Sequence, residues 1–143
     1  MARVAGWQRR LNEYILDAQE RYKSAGFQPG VFDCVHFVAD WVKVLTGEDP
    51  LGEYRNAYTT EEEGFLLVAQ KEGSLEEALR NRFGDPIPPS LGQRGDIATL
   101  RIDDRLMCGI LFTSGAKMRA LFLGEGGFAL HRVSDVTHVF PVR

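Results

Sequence analysis

The segment Asp85-Pro86-Ile87-Pro88-Pro89-Ser90 divides the chain into two halves of different period. Prolines at three of its positions remove backbone donors and fix φ, so no regular element runs through it. Before it, over residues 1–85, apolar residues recur at helical spacing. After it, over residues 94–143, they alternate in short runs. Helices first and closely spaced strands second predict an α+β domain in which the strands form an antiparallel meander. A chain of 143 residues is long enough for one hydrophobic core, so residues 1–143 are read as a single domain.

In the helical half, residues 7–25 predict an amphipathic helix. Val4, Trp7, Leu11, Tyr14, Ile15, Ala18 and Tyr22 fall on one stripe, and Gly26 ends it. Asp33 is an N-cap for a second helix that starts at Cys34, and Gly47 is its stop. Phe37, Val38, Trp41, Val42 and Leu45 lie on the face of Cys34. Thr60 with Glu63, and Ser74 with Glu77, have the spacing of capping boxes ahead of two shorter helices. In the strand half, strands are expected over 96–101, 106–112, 116–123, 128–132 and 137–140. Turns are expected at Asp103-Asp104, Thr113-Ser114-Gly115 and Gly124-Glu125-Gly126-Gly127.

Cys34 is the residue whose position invites chemistry. A thiol in the first turn of a helix meets the positive end of the dipole and free N–H donors, both of which favour thiolate. The opposing reading is that Cys34 is a small buried hydrophobe. The net charge of −3 argues against nucleic-acid binding, which needs a basic patch. No run of about 18 apolar residues exists, so no membrane span is expected. The first ten residues do not have the pattern of a secretion signal, and synthesis in the cytoplasm is the expectation. Cys34 and Cys108 are the only cysteines and make no disulfide framework.

A cysteine opening a buried helix, followed by an antiparallel sheet, resembles the papain-like architecture. In detail, residues 30–132 resemble the NlpC-type cell-wall peptidases. Their Asp-Cys-Ser-Gly-Phe nucleophile motif corresponds to Asp33-Cys34-Val35-His36-Phe37. The Pro-Gly-Asp opening of their first strand corresponds to Arg94-Gly95-Asp96-Ile97, and the His-Val-Gly-Ile of their second strand to Met107-Cys108-Gly109-Ile110. Their third strand corresponds to the stretch from Gly115 to Ala120, which keeps the turn and has no clear orienting residue. Residues 54–83 are then an insertion between the cysteine helix and the sheet. The whole chain is also similar to small NlpC-like proteins encoded in phage tail modules, near the tail-tip genes.

The resemblance implies a papain-like domain with about five strands, Cys34 as nucleophile and Asp33 as the cap that fixes its helix. It also puts Met107 where the general-base histidine belongs, and a thioether moves no proton. His131 and His138 are the remaining candidate bases. His36 is turned about 200° from Cys34 around the helix, on the polar face with Asp40 and Lys43, which gives it a structural or surface role. If Met107 faces Cys34, Cys108 faces away; a register shifted by one residue swaps them and permits a disulfide.

Other features have plainer readings. Cys34 and His36 are splayed by the helix and make no zinc pair. The glycines at 124–127 form a hairpin turn, and Arg94-Gly95-Asp96 is a turn into a strand. No cofactor or metal is implied. Two functions follow. The first is a catalytically degenerate NlpC-like protein with a structural or assembly role. Its partners are phage or prophage tail hub or tail-tip proteins, its place the virion tail, and its contact surface an apolar patch near Phe65 or Pro86–Pro89. The second is an active cysteine hydrolase of cell-wall peptides that uses Cys34 with His131 or His138. A more remote third is a peptide- or glycan-binding module that uses Trp7 and Trp41.

Overall fold

The computed structural model describes all residues from Met1 to Arg143. The helical half forms α1 (Trp7–Ala25), α2 (Cys34–Thr46), α3 (Glu61–Glu72) and α4 (Leu75–Phe83). The second half forms β1 (Ile97–Ile102), β2 (Arg105–Ser114), β3 (Lys117–Gly124), β4 (Gly127–Arg132) and β5 (His138–Phe140). The fold is α+β: four helices packed on one antiparallel five-stranded sheet.

Local chemistry sets the helix boundaries. The side chains of Asp33, Thr60 and Ser74 each accept the N–H of the residue three further on, as N-caps do. Gly47 closes α2 in the left-handed conformation, with its N–H on the Lys43 carbonyl. Asp103 and Asp104 both have positive φ, 49° and 64°, the backbone of a tight two-residue hairpin turn.

The strands run in the order β4-β3-β2-β1-β5. The first four make the expected meander. β5 departs from it by crossing to the far edge, where Phe140 pairs with Ile97 and His138 with Thr99. β2 is also longer than expected, because Thr113 and Ser114 pair with Met118 and Lys117 and leave a tighter turn.

The pleat gives the sheet two apolar faces. Ile97, Leu106, Cys108, Ile110, Leu121, Leu123 and Phe140 join the main core beneath the helices. Ala98, Leu100, Leu111, Ala120, Phe122 and Val139 form a smaller cluster on the other face. α2 is the central helix of the main core, buried at nine of its thirteen positions. Among the hydrogen bonds that hold it, Tyr14 of α1 donates to the Phe37 carbonyl (2.5 Å), and the Trp41 indole donates to the Gly95 carbonyl (2.9 Å).

Asp96 anchors both ends of the described chain. Its fully buried carboxylate accepts from Arg3 (2.7 Å), Arg143 (2.8 Å), and the N–H groups of Gln93 (2.9 Å) and Val142 (3.1 Å). The Arg94-Gly95-Asp96 turn therefore has no free carboxylate to offer a receptor. The regions expected to carry an apolar patch expose Leu66 and Leu91 singly. Leu16 and Leu130, 63% and 52% exposed, instead line one groove between α1 and strands β2 to β4. Trp41 is fully buried, and Trp7 lies under the Arg3 guanidinium (4.2 Å), so the tryptophans make no open platform.

Candidate functional site

Cys34 sits at the first position of α2, with 3% of its surface exposed. It is placed there by the carboxylate of Asp33, which has four partners. Oδ1 accepts from the His36 N–H (2.9 Å) and faces His36 Nδ1 (2.8 Å). Oδ2 accepts from the Gly30 N–H (2.9 Å) and the Tyr58 hydroxyl (2.6 Å). Burial alone raises the pKa of a carboxyl group. Here the hydrogen bonds from His36 and Tyr58 outweigh it, and Asp33 is held below the ordinary carboxylate range. The Tyr58 phenol is pushed far up by its burial and by the charge of Asp33.

Tyr58 is brought to Asp33 by close contact between two loops. The Asn56 N–H donates to the Gly30 carbonyl (2.8 Å). Gly30 has φ of +82°, and a Cβ there would lie 2.2 Å from the Tyr58 carbonyl oxygen, so only glycine fits. The Tyr58 ring is then covered by α3 at Gly64, where a Cβ would come within 2.7 Å of it. Tyr58, Glu61, Phe65, Val68 and Leu75 thereby roof the first turn of α2, leaving a cleft of about 20 Å³, room for one water molecule. Burial raises the Glu61 carboxyl in this cleft, with help from Glu125 and Asp33, against the pull of Arg105.

The residue of the sheet that confronts Cys34 is Cys108. Its thiol donates to the Cys34 carbonyl oxygen at 3.6 Å, inside the main core. Met107, the residue the resemblance puts in the base position, alternates with Cys108 and pairs with Leu100 of the opposite face. The register is thus the one in which Cys108 faces Cys34. The neighbouring Cys34 thiol, together with complete burial, pushes the Cys108 thiol far up.

The other histidines lie elsewhere. His131 pairs with Ala120 and meets the Phe122 ring edge-on (5.4 Å), both members of the small cluster on the far face. His138 is on β5 with Nδ1 3.5 Å from Glu76 of α4. His36 is fully buried, not on a solvated face with Lys43. The loop carrying Tyr58 covers that side of α2, and His36 Nδ1 is held by Asp33, a residue of its own helix start. Sequence reasoning missed Tyr58, which carries no motif, and gave Glu61 no place in the site. Among His, Cys, Asp and Glu side chains, no three gather as a metal site.

A family model described as a domain of unknown function (DUF6950) matches residues 2–142. The chain belongs to this family. No curated protein and no solved structure matches it. What this DUF6950 domain offers chemically is a buried cysteine pair and an Asp33–His36–Tyr58 network in which His36 Nε2 alone lacks a partner, under a roof that admits little more than water. No helix in it is long and apolar enough to cross a membrane.

Proposed function

We propose that this chain is a papain-like domain of the NlpC type that keeps the cysteine-helix scaffold without hydrolytic chemistry. It serves as a structural or assembly component of a phage or prophage tail tip, bound to tail hub or tail-tip proteins. It is made in the cytoplasm and ends in the virion tail. The observation that carries the reading is the identity of the group facing Cys34: the Cys108 thiol on β2, at 3.6 Å from the Cys34 carbonyl oxygen. Amide hydrolysis by a cysteine needs a base within hydrogen-bond reach that can also protonate the leaving amine. A thiol whose pKa is pushed up does neither at neutral pH. The narrow cleft agrees, since a peptide does not enter a space the size of one water molecule. The tail-tip setting comes from the likeness of the chain's pattern to small NlpC-like proteins of phage tail modules.

The test is co-expression with the hub and tail-tip genes of one tail module, followed by affinity purification and a peptidoglycan digestion assay. Wild type and Cys34→Ala should co-purify with the same tail protein, and neither should release cell-wall peptides. A chain that stays monomeric and partnerless in that co-expression rejects the assembly role. Peptide release that Cys34→Ala abolishes rejects the non-hydrolytic role and establishes the hydrolase reading instead.

A further inference from the structure

We propose that Cys34 and Cys108 are a reversible redox pair, with Cys34 the attacking thiol, Cys108 the resolving thiol and hydrogen peroxide the co-reactant. Three features carry it. The Cys108 thiol rests 3.6 Å from the Cys34 carbonyl oxygen, on the same first turn as the Cys34 thiol. The Cys108 side chain thus already touches Cys34, and rotation of the two side chains between staggered wells is the motion that would join their sulfurs. The two residues come from elements 74 positions apart that the core holds in fixed contact, α2 and β2. Finally, the pair is asymmetric. Cys34 lines the cleft, whereas Cys108 is sealed behind it.

The cleft selects the oxidant. Its volume of about 20 Å³ takes a molecule close to water in size, which hydrogen peroxide is and a glutathione-sized disulfide is not. The Cys34 thiolate attacks one peroxide oxygen. The O–O bond breaks, Cys34 becomes a sulfenic acid, and the departing hydroxide leaves as water after taking a proton. The Cys108 sulfur then attacks the Cys34 sulfur. The S–O bond breaks, a second water leaves with the Cys108 proton, and the disulfide forms. Two thiols and one peroxide give one disulfide and two waters. The raised pKa of Cys108, set by the Cys34 thiol beside it and by burial, keeps it protonated until that second step. This chemistry goes beyond the assembly role and is read on the isolated chain.

The experiment treats the native protein with hydrogen peroxide, removes the excess with catalase, unfolds the chain in iodoacetamide and weighs it intact. Wild type should lose the mass of two hydrogens, gain no alkyl group and regain both thiols in dithiothreitol. Peptide mapping should join the Cys34 and Cys108 peptides of one chain. Cys108→Ser should stop at a Cys34 sulfenic acid that dimedone traps, and Cys34→Ser should remain unoxidised over the same time. Glutathione disulfide should leave the native wild type unmodified. The wild-type arm decides the matter even if a variant fails to fold. Two thiols still alkylated after peroxide, a persistent sulfenic or sulfinic acid on wild-type Cys34, or disulfides between chains would each overturn the proposal.

Discussion

Replacing Asp33 with asparagine tests whether the network beside Cys34 holds the site together. Asparagine is an equally good N-cap, so the helix start itself should lose little. The Oδ1 bonds to the His36 N–H and to Nδ1 survive as neutral ones. The Oδ2 position becomes an amide donor that confronts the Gly30 N–H, which is left unsatisfied in a buried site. The Tyr58 hydroxyl must turn and accept instead of donating to a charge. One orphaned buried donor costs about 1–3 kcal/mol, and hydrogen bonds to charged groups contribute about 1.5–3 kcal/mol each. The sum for Asp33→Asn is a loss of about 3–5 kcal/mol, a large share of the roughly 5–15 kcal/mol of an ordinary domain. Urea unfolding followed by the fluorescence of buried Trp41 measures it. Combining Asp33→Asn with Tyr58→Phe should give less than the sum of the two singles, because both remove the same 2.6 Å bond. The variant should also alkylate faster at Cys34, since Tyr58 and α3 lose their anchor. A loss below about 1 kcal/mol, with an additive double variant, would refute the argument that this network is a unit.

Three further outcomes are expected. Because the folded pKa of Asp33 is depressed, its stabilisation is complete above the unfolded value of about 3.9 and is lost as pH falls through the lower folded value. The wild type should therefore lose stability more steeply below pH ~4 than Asp33→Asn in a pH series of urea titrations, and parallel curves would refute this. Gly64→Ala, which puts a Cβ 2.7 Å from the Tyr58 ring, should cost about 1–3 kcal/mol and speed Cys34 alkylation by lifting α3; unchanged labelling would mean that α3 does not gate the thiol. Arg3→Ala leaves the buried Asp96 carboxylate with Arg143, which is 43% exposed, as its remaining charge partner, and should cost about 3–5 kcal/mol in denaturant unfolding.

The parts of this fold that were legible in the sequence are those fixed within a few residues. Asp33, Thr60 and Ser74 announce helix starts because a cap needs only its own first turn. The Asp103-Asp104 turn and the four meander strands follow from alternation and short spacing. The place of β5 was not legible, because its pairing with β1 joins residues about 40 apart in the chain and no local pattern encodes an edge. Alternation says that Met107 and Cys108 face opposite ways; which of them meets α2 depends on packing across the whole sheet. The rotation between Cys34 and His36 was sound, and of the structural or surface role left open for His36 the surface one falls away because a third layer, the Tyr58 loop, covers it. The apolar residues Val35, Phe37, Val38 and Ala39 around His36 carried that signal, since a helical turn flanked by apolar residues on all sides is buried.

The clamp on Asp96 has a consequence for the order of folding. It joins Arg3 to Val142 across 139 positions of chain, the longest closure among the hydrogen bonds of the molecule. The hairpins β1–β2, β2–β3 and β3–β4 close short loops and can form first, whereas loop-closure entropy defers contacts between distant residues. On that order the transition state is expected to lack the clamp. Weakening it should leave the refolding rate almost unchanged and pass nearly the whole free-energy loss into faster unfolding. Asp96 in this view is a latch on the finished fold: it lengthens the lifetime of the native state without helping the chain to find it.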